Sequence, residues 1–92
     1  MERWKFADVS PGFDVRLEQV ARDLGLRSQR FALKSLPTNV HWHFVMEGAT
    51  GTLEATWLID SQQAWLSVRA NRHADWVDLA AGTLIRRLRL PE

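Results

Sequence analysis

Residues 40–70 read VHWHFVMEGATGTLEATWLIDSQQAWLSVRA, and the alternation inside this stretch decides the fold. Val40, Trp42, Phe44 and Met46 share one side of an extended chain. Leu53, Ala55, Trp57 and Ile59 share one side of a second, and Leu66, Val68 and Ala70 one side of a third. A period of two over such lengths is the signature of half-buried strands. The intervening Gly48-Ala49-Thr50-Gly51 and Ser61-Gln62-Gln63 are hairpin-sized. The stretch is therefore predicted as an antiparallel meander of strands Val40–Met46, Thr52–Asp60 and Ala64–Ala70.

Register follows from the need for apolar faces to coincide, because a slip of one residue turns every side chain over. The alignment chosen sets Met46 opposite Leu53, Phe44 opposite Ala55 and Trp42 opposite Trp57. A four-residue loop then sets Trp57 opposite Val68. A two-residue turn at Ser61-Gln62 is disfavoured, since it lacks the Gly or Asn that tight hairpins use.

Two flanking segments read as helices. Leu17, Val20, Ala21 and Leu24 have the spacing of one helical stripe, with Asp14 as predicted N-cap and Gly25 as the left-handed residue after the end. Val77, Ala80, Ala81, Leu84, Ile85 and Leu88 form a second stripe over 74–90, with Asn71 or His73 as its cap. Asp75 and Asp78 in its first turns and Arg86, Arg87 and Arg89 in its last complement the helix dipole. Residues 1–13 read as an N-terminal arm or short strand, from the alternation around Trp4 and Phe6. Arg27–Leu36 fits either a short helix capped by Ser28 or a strand in which Phe31 and Leu33 alternate with Arg30, Ala32 and Lys34. Pro37 and Asn39 as stop signals favour the helix, making 14–36 a helical segment. The expected class is α+β, a three- or four-stranded antiparallel meander with two or three helices on one face.

The 92 residues suit a single domain over 1–92. The absence of cysteine excludes disulfides, thiol catalysis and cysteine-ligated metal centres. The first residues carry no apolar run, and no run approaches a membrane span, so a cytoplasmic protein with no membrane partner is expected. Net charge is only +1, yet residues 15–35 hold five bases (Arg16, Arg22, Arg27, Arg30, Lys34) against two acids (Glu18, Asp23).

Residues 17–31 resemble the helix-turn-helix of bacterial DNA-binding regulators, through Ala21 at the helix contact, Gly25 at the turn and Phe31 six residues later. That resemblance implies a recognition helix over Ser28–Ser35, with Arg27, Gln29, Arg30 and Lys34 at the DNA. The same Ala and Gly serve equally well in a capped amphipathic helix.

His41 and His43 lie on one strand face and could hold zinc if a third ligand approached. In the predicted register none does, since Glu54 is a diagonal neighbour about 7 Å away. Neither a metal site nor a cofactor is therefore expected. No phosphate loop, patterned nucleophile or carboxylate pair suggests an enzyme. The outer face displays His41, His43, Val45, Leu58, Trp65 and Arg69, residue types suited to a contact surface. The function expected is a small non-catalytic binding or assembly module working through that face as a homodimer. A helix-turn-helix DNA-binding protein using residues 15–36 is the alternative.

Overall fold

A computed structural model describes residues 2–6, 9, 11–33 and 36–89, with the backbone alone at 33, 36–38 and 89. The meander is the centre of a wider sheet. Five antiparallel strands, β1 (Glu2–Lys5), β2 (Leu26–Leu33), β3 (Leu36–Met46), β4 (Leu53–Leu58) and β5 (Gln63–Val68), stand in the order β1-β5-β4-β3-β2. Two helices, α1 (Phe13–Asp23) and α2 (Asp75–Arg89), complete an α+β fold.

Both helices pack on the inner face. Trp42, Phe44, Leu53 and Leu66 from the sheet meet Phe13, Leu17, Val77 and Leu84 from the helices, and all eight are fully buried. Phe13 sits among Phe6, Trp42 and Trp57, with ring centroids 5.0, 6.5 and 5.5 Å away. Tilted and edge-on contacts of this kind dominate the packing of a small core. Trp76 of α2 donates its indole N–H to the Thr50 carbonyl at 2.6 Å.

Residues 26–33 form a strand, which corrects the helical reading of 14–36. Gly25, at φ 78°, ends α1 and turns the chain, and β2 then pairs with the long β3 from Leu26↔Met46 to Ala32↔Val40. Among the described side chains of this strand, 26–32, only Leu26 is buried, so there is little apolar surface to hold a second helix. Pairing instead satisfies the backbone of β3, whose other edge is taken by β4. Pro37, read as a helix stop, falls where the β2–β3 register shifts, one of the few places a sheet admits a residue without an N–H. The second helix of the helix-turn-helix resemblance is thus a strand. Lys34 lies outside the described residues.

Asp14 does not cap α1. The N-cap is Gly12 in the left-handed region, and the Asp14 carboxylate in the first turn pairs with Arg30 Nη1 at 3.1 Å. His73 does not cap α2 with its side chain either. Its Nε2 lies 2.8 Å from Asp78 Oδ2.

The first hairpin register differs from expectation by two residues and the second by four. Phe44 stands opposite Leu53, Trp42 opposite Ala55 and Val40 opposite Trp57. Trp57 stands opposite Ala64, and the loop has the expected four residues, 59–62, with Gln62 at φ 55°. The first shift has a tertiary cause. Residues 50–52 are drawn onto the start of α2, where Thr52 N–H donates to the Arg72 carbonyl at 2.9 Å and Trp76 grips Thr50. In the second hairpin, Asn39 Oδ1 accepts the Ile59 N–H at 3.2 Å, so the chain leaves β4 after Leu58.

Candidate functional site

The register brings the outer face into two rows. One runs Gln29–His43–Glu54–Ser67–Arg3, the other Phe31–His41–Thr56–Trp65–Lys5. Glu54 therefore faces His43 directly, which corrects its diagonal placement.

Glu54 is buried although its face carries no helix, with 9% of its side chain exposed. A buried carboxylate needs partners. Glu54 Oε1 lies 3.0 Å from His41 Nε2 and 3.6 Å from His43 Nε2, while Oε2 pairs with Arg69 Nε at 3.2 Å. His41 Nδ1 lies 2.9 Å from Thr56 Oγ1, so both ring nitrogens are engaged. Phe31 stands edge-on to His43 with centroids 5.1 Å apart. Burial lowers the His43 pKa below its usual value. Glu54 opposes that shift, and His41, Arg69 and Arg72 reinforce it.

The structure brings His41, His43 and Arg69 together and leaves the other expected contact residues apart. Val45 lies one step beyond the Phe44–Leu53 pair and Leu58 one step beyond Val40–Trp57, at opposite ends of the strands. Six residues of strand separate them, about 20 Å. Trp65 is half-buried, with the Arg3 guanidinium 4.8 Å above its ring. The outer two strands of the predicted meander, observed as β3 and β5, lie inside the sheet, and β1 and β2 are the edges. These carry Glu2, Arg3 and Lys5, and Arg27 and Arg30, the charges by which natural edges resist pairing.

Of the residues assigned to DNA, Arg27 and Gln29 lie on the outer side of β2. Arg30 faces α1, held by Asp14 and by Glu18 at 3.4 Å, with its guanidinium 5.6 Å from the Trp42 ring. A cavity of about 510 Å³ beside His43 is lined by Arg27, Ser28, Gln29, Val45 and Thr52. Another of about 310 Å³ at the β1 edge is lined by Arg3, Lys5, Gln62, Gln63 and Trp65 among others.

Sequence reasoning weighed Glu54 as a ligand and set it aside, and it left Thr56 out of the site. The signal was present, because alternation already sets both on the side of the two histidines, and only the register withheld them.

Comparison with protein families, with curated proteins and with solved structures finds no match to this chain. The functional reading therefore stands on the geometry alone. No helix among the described residues is long and apolar enough to cross a membrane.

Proposed function

We propose that the protein is a non-catalytic binding module that meets an acidic partner through the outer face of its sheet. The observation that supports this reading is the charge of a face left bare by both helices. Arg27 lines one edge, Arg3 and Lys5 line the other, and Arg69 follows β5. Glu54 is the only carboxylate at the described outward strand positions, and it is buried and already paired. A surface of one sign steers and holds a partner of the other. The two cavities place Arg27 in one hollow and Arg3 and Lys5 in the second, flanking the central cluster.

A second copy of the chain, the partner expected from the sequence, is a poorer fit. Both strand edges of the face are basic, so any two-fold pairing of the face sets base against base.

Immobilised polyglutamate provides a direct test. The wild type is expected to be retained at a few tens of millimolar salt and released as salt rises, because screening shortens the reach of exposed charges. The double variant Lys5→Glu, Arg27→Glu should pass through unretained while keeping the wild-type circular dichroism. A wild type that is not retained, or a variant retained as strongly, ends this reading. Retention on single-stranded oligonucleotide but not on polyglutamate would replace the acidic protein with a nucleic acid.

A further inference from the structure

We propose that His41, His43 and Glu54 form a binding site for a divalent transition metal ion, zinc in the first instance, with Thr56 and Arg69 as positioning residues. The three donor atoms come from neighbouring positions on two adjacent strands and lie within 4.8 Å of one another. A tetrahedral zinc with bonds of about 2.0–2.1 Å sets its ligands about 3.3–3.5 Å apart. Glu54 Oε1 stands 3.0 and 3.6 Å from the two Nε2 atoms, so these separations bracket the required value. All three donor atoms lie within 4.8 Å of one another, so side-chain rotation suffices to close them on an ion.

The surroundings of the three donors also fit. A ligating histidine normally has its second nitrogen held, which fixes tautomer and ring orientation. His41 Nδ1 has Thr56 Oγ1 at 2.9 Å, and a hydroxyl can accept from Nδ1–H once Nε2 turns its lone pair to a metal. Arg69 holds Glu54 by Oε2 and leaves Oε1 directed at the imidazoles. Two imidazoles and a carboxylate suit zinc, cobalt or nickel better than calcium or magnesium, which prefer all-oxygen sets. With three protein ligands the fourth position stays open, and 39% of the His43 side chain is exposed beside the larger cavity. A second group, Glu2, His73 and Asp78, lies equally close together, but all three residues are exposed. His73 Nε2 is paired with Asp78 Oδ2 at 2.8 Å.

The alternative is that the histidines serve only to pair a buried carboxylate. The metal reading does not rest on the acidic partner, and its test uses metal alone. Chelator-treated protein is titrated with zinc chloride by calorimetry, and with cobalt(II) followed by visible absorption. One ion per chain is expected, with the cobalt complex showing the intense bands of a four-coordinate site. The His41→Ala, His43→Ala variant should lose this uptake, and Glu54→Gln should weaken it at least about tenfold. His43→Gln, at the most exposed of the three ligands, provides a milder loss should the double variant fail to fold. Thr56→Val should weaken binding about tenfold and Thr56→Ser restore it, as an outer-shell partner does. No uptake by the wild type, unchanged uptake in His43→Gln, or loss of the ion in His73→Ala would overturn the proposal.

Discussion

The indole N–H of Trp42 donates to Glu18 Oε2 at 2.8 Å, joining the middle of β3 to the outward-turning side of α1. Trp42 is fully buried, and this bond satisfies the one polar atom of its side chain. The same carboxylate receives Arg30 Nη1 at 3.4 Å, so one glutamate ties the helix to two strands. A hydrogen bond to a charged group contributes about 1.5–3 kcal/mol. Glu18→Ala should lower unfolding stability by that amount in urea without changing the slope, and Glu18→Gln should recover part of it. An unchanged midpoint for Glu18→Ala would show that solvent satisfies the indole equally well.

Gly51 is fixed by its surroundings as well as by its backbone. Its φ of 100° is unfavourable to any side chain, and a Cβ there would stand 2.9 Å from both Ala74 Cβ and the Arg72 carbonyl oxygen. Neither atom belongs to the far end of a flexible side chain. Gly51→Ala should cost about 1–3 kcal/mol, the range for a residue held in a sparsely populated conformation. In a domain of this size each kcal/mol lowers the melting temperature by about 4–8 °C. Gly48→Ala, at φ 78° with open space around it, should cost less. Equal losses at the two positions would mean that the contact with Ala74 and Arg72 plays no part.

This contact also explains what the sequence could and could not reveal. The faces of β3, β4 and β5 were legible, because each side of a strand repeats every second residue, and Trp42, Phe44, Leu53, Ala55, Leu66 and Val68 are all buried as expected. Their register was not legible. A shift of two residues preserves every face, so alternation cannot distinguish Phe44–Ala55 from the observed Phe44–Leu53. The choice is made by Thr52 and Thr50 docking at Arg72 and Trp76, a contact between segments distant in sequence. β2 was hidden for a different reason. Its inward residue Arg30 meets the carboxylates of Asp14 and Glu18, so an edge strand beneath a helix need not show an apolar stripe. The site inherited the register error, since moving Glu54 by two residues is the difference between a diagonal neighbour and a direct partner of His43.

The lowered pKa of His43 fixes the sign of one pH effect. Burial favours the neutral ring in the folded protein, with Glu54 opposing it. The folded chain therefore binds fewer protons than the unfolded chain at this position. The contribution to stability is complete above the unfolded value of about 6.5. It is lost as pH falls through that value towards the lower folded one. Titration of the imidazole resonances by NMR should place His43 below 6.5, the value it departs from. In His43→Asn the stability lost over that interval should be smaller than in the wild type. A His43 resonance titrating above the unperturbed value would mean that its ion pair with Glu54 outweighs burial.

Self-association through the outer face has a salt dependence that separates it from the acidic-partner reading. Phe31 and Val45 are exposed, and Trp65 and Leu58 are half-buried, so the face offers some apolar surface to a second copy. Its rims offer Arg3, Lys5 and Arg27, which a two-fold contact brings against like charge. The Debye length falls from about 10 Å at 0.1 M salt to about 3 Å at 1 M. Apolar contact then persists while the repulsion fades. Any dimer made by this face should therefore strengthen with salt, whereas binding to an acidic partner should weaken. Light scattering at tens of micromolar protein across that range reads the sign directly. Trp65→Arg, which adds a charge at the half-buried ring beside Lys5 and Arg3, should leave a folded monomer at every salt concentration. A dimer that dissociates as salt rises, or one indifferent to Trp65→Arg, would place the interface on some other surface of the molecule.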